Sequence, residues 1–303
     1  MTVPGLPRDI TSAAFDALHD EPGAWRDVIM SIAAGHGAGP VRQMGEGTVL
    51  VALSGHDRVI KLYPPFLRDH FDHECAALQV LAGRLSVPTP ELVATGEREG
   101  WPYLVMTQLP GEVLLPLWPA LSPAARCALL SELGALAAEV HALPVHPMRP
   151  QAPAWPDFVS RQRRLCHGRQ QRTGLPPHLL AQLDTFVAGP LPQGPDVILT
   201  GEYTPMNLLV RHGRLSGMFD FGDGLVGPRE YDWLGPLAFL AAGSRECCRA
   251  FFEGYGVLPD APARPALMRL LLLHRYSNLP LQIAHPGWQD AADFEALATL
   301  IWP

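Results

Sequence analysis

The order of strand-like and helix-like segments predicts an α+β fold with two lobes: a small five-stranded β lobe with one main helix, then a larger, mostly helical lobe. Two observations carry this prediction. Short apolar runs bounded by glycine and proline dominate residues 41–108, whereas helical apolar spacing dominates from about residue 123 onward. We therefore expect an N-terminal lobe with a helical extension over residues 1–109 and a C-terminal lobe over residues 110–303.

The first lobe begins with apolar positions at helical spacing, which predict one or two helices between Asp9 and Ala34. The same spacing predicts a longer helix from about Arg68 to Leu85. Ser54–Asp57 has the composition of a hairpin turn. Five strands are predicted, with the longer helix between the third and the fourth. These strands are Val41–Met44, Thr48–Leu53, Arg58–Tyr63, Glu91–Gly96 and Tyr103–Gln108.

The second lobe contains a strongly amphipathic segment at Pro123–Leu143, which predicts a long helix. Two further helices are predicted within Trp155–Arg172 and Pro177–Ala188, and helices return from about Glu230 to the end. Three short strands are predicted between these helical regions. They are Val197–Leu199, Leu208–Arg211 and Leu215–Phe219.

Composition excludes several classes of partner. The formal net charge of −7 argues against non-specific binding to nucleic acid or to an anionic membrane, because both need a basic face. The five cysteines form no C-x-x-C pair, which indicates free thiols in a reducing compartment. The sequence has neither a secretory signal pattern nor an apolar run long enough to span a bilayer. We expect a cytoplasmic protein whose partner is a small molecule, and the oligomeric state stays open.

The segment Leu199–Trp233 carries the chemistry. Glu202 precedes Asn207 by five residues, and a hairpin through Arg211–Arg214 then leads to Asp220–Gly222. Phosphoryl transfer needs one carboxylate that orients the attacking hydroxyl, and an amide and a second carboxylate that hold magnesium. Taken singly, Asn207 reads more readily as a turn residue and Asp220 as a capping residue. The combination with this spacing predicts Glu202 as catalytic and Asn207 and Asp220 as metal ligands.

This segment resembles the catalytic and metal-binding region of the aminoglycoside phosphotransferase family, which shares its fold with protein kinases and choline kinases. Family members read H-G-D-x-x-x-x-N, then a hairpin, I-D-F/W-G/E-D and a Y-D-L/W helix start. Tyr231–Trp233 matches that helix start, which implies a structural role for Asp232, and Leu133–Leu143 (LGALAAEVHAL) matches an upstream helix. The resemblance implies a protein-kinase-like fold. It also implies transfer of the γ-phosphoryl of ATP or GTP to a hydroxyl through Mg²⁺, with antibiotics among the candidate acceptors.

The catalytic loop departs from the family pattern at two positions. Thr200 stands where the family has histidine, and Glu202 stands where it has aspartate. Glutamate keeps the charge but extends the carboxylate by about 1.5 Å, and a misplacement of about 1 Å can lower a rate roughly 100-fold. An active enzyme is favoured because the lysine, the carboxylates and the amide are all present. The alternatives are a pseudokinase-type nucleotide- or ligand-binding protein with an impaired loop, and a housekeeping metabolite kinase.

Lys61 is the one lysine among the 23 basic residues, the others being arginine. It lies at the end of the third predicted strand, where the resemblance implies a lysine that contacts the nucleotide phosphates. Glu74 on the next helix is the expected partner that holds it. A surface lysine at a strand end is the alternative, but an ammonium reaches into a phosphate pocket where a guanidinium does not fit as readily. Gly45 and Gly47 form a candidate phosphate-covering turn, which alone is weak evidence.

The acceptor is not defined by these motifs. The region before the catalytic loop has five arginines and no acidic residue between Asp157 and Asp184. A solvated basic helix face is the simpler interpretation of this pattern. If the arginines face the acceptor instead, a polycationic aminoglycoside is a poor substrate and an anionic or neutral one is better. The arginines are Arg161, Arg163, Arg164, Arg169 and Arg172.

Overall fold

The computed structural model describes residues 6–45, 47–201, 203–257 and 264–303. The chain divides into two compact units. Unit 1 extends to Arg84 and adds Pro88–Pro110 and the distant segment Gly217–Asp223. Unit 2 contains Leu85–Val87, Gly111–Ser216 and the chain from Gly224 to the C-terminus.

Unit 1 is built on an antiparallel sheet of five strands in the order β1-β2-β3-β5-β4. The strands are β1 (Val41–Gly45), β2 (Leu50–Ser54), β3 (Arg58–Leu62), β4 (Leu92–Arg98) and β5 (Trp101–Thr107). The predicted turn joins β2 to β3, where Ser54 pairs with Arg58. Gly55 in this turn has a φ of 59°, and a Cβ there would clash with the carbonyl oxygen of Ala38. Only glycine fits this position without strain.

Three helices accompany the sheet of unit 1: α1 (Ser12–His19), α2 (Pro22–Gly35) and α3 (Arg68–Leu81). Trp25, Ile29 and Ile32 of α2 are buried in one apolar cluster with Ile60 and Leu62 of β3. The predicted helix over Arg68–Leu85 is too long, because α3 ends at Leu81. Ala82 leaves the helix with a ψ of 124° and Gly83 has a φ of 68°, so the backbone hydrogen bonds of the helix stop there.

Unit 2 is mainly helical. Its helices are α4 (Leu114–Leu117), α5 (Pro123–His141), α6 (Trp155–Thr173), α7 (Pro177–Leu180), α8 (Leu183–Val187), α9 (Glu230–Gly235), α10 (Arg245–Tyr255), α11 (Arg264–Leu273), α12 (Leu279–Gln282) and α13 (Phe294–Ile301). The helix predicted over Pro177–Ala188 is two short helices, and Gln182 at the break donates to the carbonyls of His178 and Ala292. Helices α5 and α10 pack in close contact at Gly134, where a Cβ would clash with the carbonyl of Phe251.

Further short strands follow β5 along the chain. They are β6 (Glu112–Val113), β7 (Asp196–Leu199), β8 (Leu208–Arg211), β9 (Arg214–Met218) and β10 (Leu225–Pro228). Strand β9 ends in the Gly217–Asp223 segment of unit 1. Strands β7 and β10 pair antiparallel, with Leu199 opposite Leu225. The three predicted strands are present, whereas β6 and β10 were not predicted. No helix within the described part of the chain is long and apolar enough to cross a membrane.

Candidate active site

Lys61 is placed by β3. Side chains alternate along a strand, so Ile60 and Leu62 enter the apolar cluster with α2 and Lys61 points to the other side of the sheet. There its Nζ contacts Oε1 of Glu74 at 2.7 Å and Oε2 at 2.9 Å. Both residues are buried, with exposed fractions of 5% for Lys61 and 1% for Glu74. The expected partner of Lys61 is therefore in contact with it, and the role of the pair towards phosphate stays a prediction.

Asp220 contributes a second carboxylate to the same ammonium. Its Oδ1 lies 2.9 Å from Nζ of Lys61, although 159 residues separate the two in sequence. Asp220 has a φ of 69°, a left-handed conformation that aspartate tolerates better than most residues. Non-glycine residues in this conformation are concentrated at functional sites. The Asp220 side chain is 47% exposed, so its carboxylate is in contact with both Lys61 and solvent.

The three charged groups set one another's protonation. Burial lowers the pKa of Lys61, but Asp220 and Glu74 outweigh it and the net shift is upward. Burial raises the pKa of Asp220, but Lys61 outweighs it and leaves that pKa below its ordinary value. For Glu74, burial outweighs the attraction of Lys61, and its pKa is raised. The Lys61 amine is therefore predominantly protonated at neutral pH, beside the carboxyl groups of Glu74 and Asp220.

The carboxylate of Asp220 would suit a magnesium ion whose other ligands are mainly the phosphate oxygens of a bound molecule. Within the described residues, no three His, Cys, Asp or Glu side chains are grouped as a metal cage. Magnesium is usually held by one or two protein oxygens together with substrate phosphates and water. The half-exposed carboxylate of Asp220 is compatible with such binding, whereas a structural zinc or calcium site needs more protein ligands.

The catalytic loop of unit 2 is held by Asp232 at the start of α9. The predicted catalytic residue, Glu202, lies outside the described residues. Directly before it, the backbone N–H groups of Thr200 and Gly201 each donate to the Asp232 carboxylate at 2.9 Å. Asp232 is 2% exposed, and its Oδ2 lies 3.1 Å from Nε2 of His141. Asp232 thus fixes the loop backbone, which agrees with the structural role expected for it.

His274 supports the same loop from the end of α11. The N–H of Tyr276 donates to Nδ1 of His274 at 3.3 Å, so Nε2 carries the proton and donates to the carbonyl of Gly201 at 3.2 Å. Burial lowers the pKa of His274 to about 3, and the charge of Arg275 adds to this shift. The ring stacks on Tyr231 with 4.7 Å between centroids. These contacts are those of a structural histidine rather than a catalytic one.

The contacts of the remaining predicted site residues do not bear on their predicted roles. Asn207 is buried, and its N–H donates to the carbonyl of Thr204 at 3.0 Å just before β8. Gly45 ends β1 opposite Val51, and Gly47 follows in the turn to β2. A Cβ at Gly47 would meet only ordinary contacts with Val51 and Val49, so steric packing does not require glycine there. Metal binding by Asn207 and phosphate binding by the glycines stay predictions.

Most of the α6 arginines face solvent, as expected for a basic helix face. Arg161, Arg164 and Arg172 are exposed. Arg163 is exposed too, and its guanidinium donates to the carbonyls of Val187 and Gly189. Arg169 is the exception. It turns inward and donates to the carbonyl of Leu272 at 3.1 Å, two residues before His274.

Sequence reasoning missed Tyr63, whose hydroxyl donates to Oε2 of Glu74. It also did not assign His141, which bridges the hydroxyl of Tyr255 and the carboxylate of Asp232. The sequence did give a signal for Tyr63. Residues two apart on a strand share a face, so Tyr63 was expected on the same face as Lys61. His141 lay within the matched helix motif, but nothing in the sequence indicated its partner.

The contact of Lys61 with Glu74, and the sequence pattern from Asn207 to Asp220, agree with the expectation of a nucleotide-dependent phosphotransferase. The model of the phosphotransferase enzyme family matches residues 45–268. The chain belongs to this family, and it is a small-molecule kinase of the aminoglycoside phosphotransferase type that uses a nucleotide donor. A search of curated proteins finds no match to the chain.

Solved structures of the same fold include antibiotic phosphotransferases. The GDP complex of aminoglycoside 2'-phosphotransferase-IIIa is 20% identical with a TM-score of 0.65, covering 84% of this chain and 88% of that one. The ternary complex of APH(2")-IIa with streptomycin and ATP is 16% identical with a TM-score of 0.61, covering 82% and 90%. Macrolide 2'-phosphotransferase MphH from Brachybacterium faecium is 21% identical with a TM-score of 0.59, covering 91% and 98%. At these identities the likeness establishes the fold.

Proposed function

We propose that this protein transfers the γ-phosphoryl group of ATP or GTP to a hydroxyl group of a small molecule in a magnesium-dependent reaction. The observation that carries the proposal is the buried ammonium of Lys61, held on both oxygens of Glu74 and in contact with the half-exposed carboxylate of Asp220. A fixed cation beside a carboxylate that can hold magnesium is the arrangement that positions and neutralises a triphosphate.

Each predicted residue has a defined part in this proposal. Lys61 binds the α- and β-phosphates, and Glu74 keeps its ammonium in place. Asp220 and Asn207 hold magnesium, which when bound neutralises charge on the phosphates. Glu202 orients the acceptor hydroxyl and can accept its proton. Gly45 and Gly47 allow the turn after β1 to cover the phosphates.

Exposed apolar side chains support an acceptor with an apolar portion. Three large ones lie in the loop or close in sequence to residues that bond to it: Leu115, Met206 and Tyr276. The N–H of Leu115 donates to Pro205 of the loop at 2.9 Å, and the loop itself carries Met206. Tyr276 follows His274, whose ring bonds the carbonyl of Gly201. Exposed apolar side chains in and beside a reactive loop favour an acceptor with an apolar surface.

The acceptor is best identified by assaying the protein against a panel of candidate acceptor molecules. Phosphoryl transfer would be measured with magnesium and ATP or GTP on aminoglycosides, macrolides, other antibiotics, choline, homoserine and sugars. We expect turnover that depends on one acceptor class and is lost in Glu202→Gln. Glu295→Gln is the matched control, because Glu295 is exposed in the first turn of α13. The similar proteins of known structure are named as aminoglycoside and macrolide phosphotransferases, so both classes of antibiotic belong in the panel.

Two outcomes would redirect the proposal. Tight nucleotide binding without transfer to any acceptor would favour a nucleotide-binding protein with an impaired loop. Transfer restricted to a common metabolite would favour a housekeeping kinase over a role in antibiotic resistance. A cytoplasmic location also stays a prediction, and it is tested by fractionating cells that express the protein.

A further inference from the structure

Tyr63 is placed beside Lys61 by the strand itself. It directly follows β3, and its N–H donates to the carbonyl of Pro102 at 2.9 Å, so the strand pairing continues through it. Side chains two residues apart on a strand point to the same side of the sheet. Leu62 between them is buried in the apolar cluster on the opposite side. The backbone therefore presents the phenol of Tyr63 and the ammonium of Lys61 together.

The phenol meets the same carboxylate as the ammonium. The hydroxyl of Tyr63 donates to Oε2 of Glu74, which also accepts from Lys61 at 2.9 Å. The Tyr63 ring packs edge-on against Phe71, one turn before Glu74 on α3, with 5.5 Å between centroids. Tyr63 is 1% exposed. Burial raises the pKa of Tyr63 well above its usual value, so the hydroxyl remains a donor at neutral pH.

Nucleotide binding, as proposed above, would change what Lys61 contacts. An ammonium has three donors, and those of Lys61 are directed at the two oxygens of Glu74 and at Asp220. A phosphate bound by Lys61 must take over at least one of these bonds. The bond from Tyr63 to Glu74 does not involve Lys61, so it persists while the ammonium turns.

We propose that Tyr63 is a positioning residue, which holds the Glu74 carboxylate in place while Lys61 binds the phosphates of the nucleotide. This proposal rests on the proposed function. A purely structural tyrosine would only satisfy a buried hydroxyl, and its loss would change stability without changing nucleotide affinity. A positioning tyrosine changes nucleotide affinity while leaving the affinity for the acceptor as it was.

The test is calorimetric titration of Tyr63→Phe with ATP and with GTP, each in the presence of magnesium and without an acceptor. Removing a hydrogen bond to a charged group should raise the nucleotide Kd roughly 10-fold. Tyr103→Phe is the matched control. Tyr103 is also buried, its hydroxyl bonds Nε2 of His36 at 2.9 Å, and its ring lies in the apolar cluster on the other side of the same sheet. The nucleotide Kd of Tyr103→Phe should stay within twofold of the wild-type value.

Combining Tyr63→Phe with Glu74→Ala isolates the contact, because the tyrosine substitution should have no further effect once its acceptor is gone. A wild-type Kd in Tyr63→Phe, with binding lost in Lys61→Ala, would overturn the role of Tyr63 and leave the proposed function intact. Failure of the wild type to bind either nucleotide would overturn both. If Tyr63→Phe is too unstable to titrate, the rise in its Tm on adding nucleotide is compared with that of the wild type. An undiminished rise would also overturn the proposal.

Discussion

Carboxylates act differently in the two units. In unit 1, Glu74 and Asp220 face the ammonium of Lys61, which sits on a flexible stem. In unit 2, Asp232 accepts from the backbone N–H groups of Thr200 and Gly201. An ammonium can exchange a carboxylate for a phosphate, but a backbone N–H is fixed by its chain. The first arrangement can rearrange when a ligand binds, whereas the second holds a loop in one position.

This difference separates the expected effects of substitution. Changes that keep the charge in the Lys61 cluster should lower activity while altering stability little, because buried ion pairs contribute modest net stability. Changes at Asp232 should lower stability, because they leave backbone donors buried without an acceptor.

Lys61→Arg should give the largest loss, a decrease in kcat/KM of about 100-fold or more, because the planar guanidinium cannot occupy the position of the ammonium between Glu74 and Asp220. Steady-state kinetics with the best acceptor would measure it, and chemical denaturation should show a change in stability below about 2 kcal/mol. Arg164→Lys on the exposed face of α6 is the control. Near-normal activity in Lys61→Arg would show that Lys61 is only a structural cation.

Asp232→Asn should lower the free energy of unfolding by about 3 kcal/mol, because one backbone N–H loses a charged acceptor in a buried site. Urea denaturation would measure this loss. Asp184→Asn is the matched control, since the Asp184 side chain is 73% exposed and should change stability by less than about 1 kcal/mol. If Asp232→Asn were stable but inactive, Asp232 would belong with the functional carboxylates and the contrast between the units would fail.

His274→Gln should remove part of the pH dependence of stability. The pKa of folded His274 is lowered to about 3, so the unfolded state binds an extra proton between pH 3 and about 6.5. The contribution of His274 to the free energy of unfolding is fully present above pH 6.5. It falls by at most about 1.4 kcal/mol per pH unit on acidification. Between pH 4.5 and 7.5, the free energy of unfolding should depend less steeply on pH in His274→Gln than in the wild type. The exposed His56→Gln variant should keep the wild-type slope, and equal slopes in all three proteins would contradict the prediction.

Neutralising the exposed arginines of α6 should have the smallest effect. A variant with Arg161, Arg164 and Arg172 changed to glutamine should keep the acceptor KM within about twofold, since these side chains are solvated. Activity assays at low and moderate salt would measure it. A large, salt-dependent change in KM would instead place these arginines at the acceptor and favour an anionic substrate.

The fold was predictable where local pattern determines it. Short runs with turn residues between them predicted the five strands of unit 1, and the long apolar stripe predicted α5. Strands β6 and β10 were missed because their stability comes from partners far along the chain, such as β7 for β10. The grouping of Gly217–Asp223 with unit 1 was equally hidden, because it depends on non-local contacts.

The candidate site shows the same division. Residue type and spacing were enough to single out Lys61 and Glu74, which the structure brings into contact. The contact of Lys61 with Asp220, and the support that His274 gives to Gly201, join residues 159 and 73 positions apart. No local pattern predicts such pairs. Tyr63 was within reach of strand alternation, but a phenol two residues after a lysine gives no indication of its acceptor.

The measurement that most directly tests Lys61 as the phosphate-binding residue uses the fact that it is the only lysine in the chain. An acyl-phosphate derivative of ATP or GTP transfers its label to an amine near the bound phosphates, and peptide mass spectrometry locates the label. We expect modification of Lys61 that is blocked by excess ATP or GTP and absent from Lys61→Arg. Labelling confined to the N-terminal amine, or labelling of Lys61 that excess nucleotide does not block, would contradict a nucleotide site at Lys61.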